Sequence, residues 1–127
     1  MQTWITPQPI QSVLSALIAS LESASLTVLM PTSPRNRIEQ ADAGVSGHRI
    51  LEVFSPIWFQ EISEMDPRAA IELPLRIHLY ASHGQTHLTY RTARESMAPY
   101  PSPAITSWAQ AIDQNLFPVF TAAGQAD

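Results

Sequence analysis

Apolar residues recur along residues 9–24 at Ile10, Val13, Leu14, Leu17, Ile18, Leu21 and Ala24, the spacing of a helix that buries one face. Thr6 followed by Pro7 offers it a cap and a first-turn proline. The period changes to two in residues 75–81 and 86–91, where Leu75, Ile77, Leu79, Leu88 and Tyr90 alternate with Arg76, His78, Tyr80, His87, Thr89 and Arg91. A two-residue turn at His83-Gly84 sets Tyr80 opposite His87, His78 opposite Thr89 and Arg76 opposite Arg91. A longer loop would slip that register and exchange the diagonal neighbours. One face of the hairpin is then apolar, and the other gathers Arg, His, Tyr and Thr.

Shorter elements fill in around these. Trp4-Ile5 reads as an edge strand, residues 26–30 as a strand stopped by Pro31 and Pro34, and residues 49–54 as a strand carrying Ile50, Val53 and Phe54. Residues 35–43 predict a short polar helix ended by Gly44. Ser55-Pro56 caps a helix over 57–65, in which one of Trp58 and Phe59 faces the core and the other a rim, with an apolar pocket beneath Trp58 as the alternative. Residues 94–97 make one helical turn, and Pro99, Pro101 and Pro103 give a stiff connector. Ser102 caps a last helix with Ile105, Trp108, Ala109, Ile112 and Leu116 on one face; Pro118 should kink or end it, and residues 122–127 should fray. The sum is one α+β domain over 1–127: a curved, mostly antiparallel sheet of four or more strands, with two long helices packed on one face. Its polar face is left either to solvent or to a second subunit.

Composition narrows the function classes. The chain has 127 residues, 45% of them apolar, and no cysteine, so it holds no disulfide, thiolate nucleophile or cysteine-ligated metal. A chain of this size buries roughly two thirds of its extended surface, enough for a core without staples. All seven basic residues are arginine and eleven acids outnumber them, which argues against a polyanion-binding stripe and so against nucleic acid. The longest apolar run is interrupted at Gln11, Ser12, Ser15 and Ser20, short of the roughly 20 residues that span a bilayer, so no membrane insertion is expected. Residues 1–9 show no secretory pattern, and a cytoplasmic protein is expected.

The runs HRILEVFSP at 48–56 and DPRAAIELPLRI at 66–77, followed by strand, glycine turn and a strand ending in tyrosine, resemble the bacterial and archaeal family catalogued as domain of unknown function 302. With the flanking helices the resemblance covers nearly the whole chain. It implies a small α+β fold with a curved antiparallel sheet, helices on one side, a homodimer, and no established reaction. It also implies an acidic residue followed by histidine after the first helix-strand unit, and an asparagine before the proline of the later strand-helix turn. This chain has Met30-Pro31-Thr32-Ser33 and Phe54-Ser55-Pro56 there.

Three readings of the polar hairpin face stay open. Arg76, Arg91 and His78, with Tyr80 and His87 beside them, make an anion site, because guanidinium forks match carboxylate or phosphate oxygens. Like charges opposite each other cost stability unless a negative group lies between, and Glu72, Glu52 or a partner chain are the candidates. An enzyme would use Glu72, His78 and Tyr80 for acid–base work near Arg76, with Glu52 as a second acid. A homodimer could instead use the face purely as an interface. The histidines His48, His78, His83 and His87 raise the question of a metal. His83 and His87 lie across a turn, and His78 and His87 would need an acid from elsewhere, so neither metal nor cofactor is expected. Thirteen serines without a nucleophile elbow do not point to a serine hydrolase.

Overall fold

The structure, a computed structural model, describes residues 1–30 and 45–125. Among these residues five strands, β1 (Gln2–Thr6), β2 (Thr27–Leu29), β3 (Val45–Phe54), β4 (Leu75–Ser82) and β5 (Gln85–Tyr90), form one antiparallel sheet in the order β1-β5-β4-β3-β2. The helices are α1 (Ile10–Ser23), α2 (Pro56–Met65), α3 (Ala93–Met97) and α4 (Pro103–Ala123), with a 3₁₀ turn at Pro67–Glu72. Alternation decides the layering. Leu51 and Val53 of β3, Leu75, Ile77 and Leu79 of β4, and Leu88 and Tyr90 of β5 are at most 1% exposed, and they meet Leu17 and Leu21 of α1 and Ile105 and Phe120 of α4. Each such large side chain contributes about 1.5–3 kcal/mol by leaving water, so this face holds the sheet and the two long helices together. The α+β architecture with helices on one face is as the pattern predicts. No helix among the described residues is long and apolar enough to cross a membrane.

Local signals are met in most places. Ser55 accepts from the Ile57 amide and Ser102 from the Ile105 amide, each with proline following in the first turn. Trp58 is buried and meets Trp108 edge-on at 6.2 Å, while Phe59 is exposed. Three expectations need correction. α1 begins at Ile10 behind Pro9 with no side-chain cap; Thr6 instead accepts from the Gln8 amide and donates to the Gly124 carbonyl, tying the entry of α1 to the end of α4. Pro118 does not end α4, because Leu116, Phe120 and Ala123 around it are buried and their packing outweighs the lost hydrogen bond. For the same reason the helix continues into the stretch expected to fray, as far as Ala123. The helix expected over 35–43 lies outside the described residues.

Candidate functional site

The site is built on the β4–β5 hairpin. Its turn has two residues, His83 and Gly84, with φ of +53° and +75°, and Ser82 pairs with Gln85. That left-handed pair matches the right-handed twist of the flanking strands and pins the register. Tyr80 therefore pairs with His87 and His78 with Thr89. Past the last pair, Ile77 with Tyr90, the Arg91 amide donates to the Arg76 carbonyl at 3.4 Å, which sets the two arginines opposite each other. On the other side of β4, β3 brings Ile50 opposite His78 and Glu52 opposite Arg76.

Alternation carries one more residue to this outer face. A bulge on β3 between Ser46 and Arg49, with Gly47 at φ +65°, lies just before His48. His48 Nδ1 and His78 Nε2 are 2.9 Å apart, with ring centroids at 5.0 Å and planes 18° apart. Stacked rings keep their atoms about 3.5 Å or more apart, so nitrogens this close mean that the rings meet edge to edge through a hydrogen bond. Beyond them Tyr80 lies 5.0 Å from His78 and stacks on His87 at 4.8 Å and 13°. The row of four rings crosses β3, β4 and β5.

Beside this row lies a depression of about 670 Å³, lined among others by His48, Ile50, Arg76, His78, Tyr80 and Arg91. His87 stands outside it, behind Tyr80. The Arg76 side chain is 73% exposed and its Nε is 3.9 Å from Glu52, an ion pair of the weak surface kind. Arg91 is exposed and has no carboxylate partner among the described residues. Burial, and then the neighbouring His48, lower the pKa of His78 below the ordinary histidine value. Among the described residues, no three His, Asp or Glu side chains are placed to hold a metal ion.

The acid–base trio is not assembled. Glu72, at the end of the 3₁₀ turn, accepts a 2.8 Å hydrogen bond from the Tyr100 hydroxyl, and this contact raises the Tyr100 pKa. Of the expected trio only His78 and Tyr80 are neighbours, and Glu52 on the outer face is held toward Arg76. Ser55, where the resemblance implied asparagine, is spent on capping α2.

Sequence reasoning named His48 only as a possible metal ligand and did not reach Asp113. Asp113 lies on α4 at 3% exposure and accepts from the Tyr90 hydroxyl at 2.7 Å, the Ala93 amide at 2.8 Å and the Arg94 amide at 3.2 Å. Burial, with this bond second, pushes the Tyr90 pKa far above the ordinary phenol value. Asp113 also touches a second cavity, of about 870 Å³, between α3 and α4, which contains none of the residues singled out from the sequence as a site. The signal for Asp113 lies in the sequence: it is the one acid of α4, on the face that carries Ile105, Trp108, Ala109 and Leu116.

Residues 2–123 match the family model for the domain of unknown function DUF302. The chain belongs to this family. Its fold is that of a crystal structure of an uncharacterised conserved DUF302 protein from Bacillus stearothermophilus, with a TM-score of 0.80 and 18% identity over 98% of this chain and 94% of that one. No curated protein matches the chain. DUF302 membership thus accounts for the architecture, sheet included, and leaves the chemistry of the outer face to be read from its own residues.

Proposed function

We propose that this DUF302 protein is a binding module whose outer sheet face takes a small anionic molecule. The observation that carries the reading is the placement of Arg76, on β4, and Arg91, just past the end of β5, opposite each other at the rim of one depression, with a single carboxylate among the described residues, Glu52, at 3.9 Å from one of them. Among the described residues, two exposed guanidinium groups with one counter-charge leave a local positive surplus on a protein whose formal net charge is −4. An oxyanion fills that surplus by two-point contacts, and Tyr80 and the imidazoles supply further hydrogen bonds.

The test is a titration of small anions, among them sulfate, phosphate and di- and tricarboxylates, followed by thermal shift and by amide spectra. A charge-assisted hydrogen bond is worth about 1.5–3 kcal/mol, so Arg76→Ala and Arg91→Ala should each weaken binding roughly tenfold to a hundredfold. Their melting temperatures without ligand should stay near that of the parent, because both side chains are exposed. Equal affinity in the Arg91→Ala variant would refute the reading.

A second reading is that another copy of the chain covers this face. It is favoured by Ile5 and Ile50, which stand exposed at 56% and 38% on the outer side of β1 and β3. A homodimer built on this face should dissociate in sedimentation velocity when Ile50 is changed to Asp. A monomeric parent at the same concentration excludes it.

A further inference from the structure

Two imidazoles joined through one hydrogen bond constrain where each other's protons can sit. With both rings neutral, a single proton lies between His48 Nδ1 and His78 Nε2, donated by one ring to the lone pair of the other across 2.9 Å. One added proton enters at the outward nitrogen of the donor ring and turns the bond into a charge-assisted one, which is stronger. A further proton would have to occupy the acceptor nitrogen, break the bond and set two imidazolium ions edge to edge. The bonded geometry therefore has room for one added positive charge on the pair and not for two.

The charges facing the pair decide when it takes that charge up. β4 contributes Arg76, Tyr80 and His78 itself, and β5 contributes Arg91 and, behind Tyr80, His87. β3 contributes Glu52, held toward Arg76, and Arg49, whose guanidinium is turned onto the His48 carbonyl at 2.9 Å. The Met1 amino group at the rim is paired with Glu95. Among the described residues, the two guanidinium groups lining the depression, set against Glu52 beside Arg76, leave one positive charge, which matches a monoanion. Protonating the pair raises this to two, which matches a dianion. Burial opposes a proton on the His78 ring in the empty site, and a dianion in the depression supplies the counter-charge that offsets this.

We propose that the outer face of the sheet takes a doubly charged oxyanion together with one proton, which the His48–His78 pair holds. This rests on the anion-binding reading above and adds to it the charge of the ligand and its linkage to pH. The proton comes from solvent and goes to the outward ring nitrogen, and no covalent bond changes.

Sulfate is the probe, because it stays a dianion throughout the range in which histidine titrates and adds no titration of its own. Its affinity is measured from slightly acid to slightly alkaline pH, alongside ring nitrogen-15 spectra of the histidines. The expected result is an affinity that falls about tenfold per pH unit where the free pair has lost its charge. At neutral pH, adding sulfate should move one ring of the pair toward the imidazolium shift. In a His48→Gln/His78→Gln double variant the slope should vanish, and the ring spectra of the parent decide the matter even if that variant folds poorly. Binding without a pH slope would overturn the proton linkage and leave the anion reading standing. A slope that survives in the double variant would remove the proton from this pair. No sulfate binding at any pH would overturn both readings.

Discussion

Gly47 is where a single side chain would do most damage to the site at least cost in mass. Its φ of +65° is left-handed, and a Cβ there would lie 3.4 Å from Ile10 Cδ1 and 3.9 Å from Ile10 Cγ2. A left-handed residue with a side chain costs about 1–2 kcal/mol, and since the contact with Ile10 is ordinary van der Waals packing, the cost is that of the backbone. Gly47→Ala should lower the unfolding free energy in urea by about that amount. It should also alter the ring spectra of the adjacent His48. Unchanged stability would mean that the bulge can move. The hairpin turn makes the opposite case. His83 is left-handed at φ +53° in a position where asparagine is favoured, and its ring bond to Ser82 Oγ at 2.9 Å is exposed. His83→Asn should therefore raise the melting temperature, by a gain of a few tenths to about 1 kcal/mol. A fall would assign that stability to the Ser82 contact. These two sites also mark what a sequence discloses at this scale. The turn was readable because alternation on both sides of His83-Gly84 allowed one short register. His48 was not placed with the site because the extra residue of the bulge interrupts the alternation just where the strand reading began, at Arg49.

At the scale of elements, α4 carries two features that run against propensity. Pro118 is exposed within it and lacks the amide that a helix interior uses. Burial of Phe120 and Ala123 beyond it keeps the last turn in place, and Thr6 holds the Gly124 carbonyl. Pro118→Ala should thus stabilise the protein, by up to about 3 kcal/mol, less whatever the proline saves in unfolded-state entropy. A loss of stability on denaturation would show that the surrounding packing is shaped to the proline ring. Asp113 is the other feature. Its carboxylate ties α4 to β5 through Tyr90 and to the first turn of α3 through two amides. Asp113→Ala leaves two buried donors and one half-buried donor without their acceptor and should cost about 2–4 kcal/mol, more than Tyr90→Phe, which removes one. Equal losses would mean that the two amides find water. The helices themselves were legible from apolar spacing, capping serines and prolines, because those signals are local. The end of α4 and the role of Asp113 were not, since both depend on residues about 20 to 118 positions away that only the packed sheet brings near.

For the whole molecule, the ionisable groups set a window of stability whose edges can be assigned. The folded state lowers the pKa of His78, so near and below the ordinary histidine value of about 6.5 the unfolded chain binds more protons than the native one. The contribution of His78 is complete above that value and is lost as pH falls through it toward the lowered native value. Asp66, held down by Arg68, and Glu95, held down by the amino terminus and then Thr92, add losses of the same sign at lower pH, as their carboxylates take up protons. Tyr90 acts at the other edge. Its raised phenol keeps its proton in the native state while the unfolded chain gives it up near pH 10, so its contribution is present below that pH and lost as pH rises beyond it. Urea unfolding across pH should therefore show stability declining on the acid side of about pH 6.5, and His78→Gln should flatten that first decline without moving the later one. A variant whose acid decline is unchanged would take His78 out of the account. Sulfate turns the same measurement into a test of coupling between site and fold. If the anion draws a proton into the His48–His78 pair, saturating sulfate should offset the decline below pH 6.5, because the native state then binds the proton that it otherwise resists. An anion that stabilises the protein equally at every pH would be bound by Arg76 and Arg91 alone.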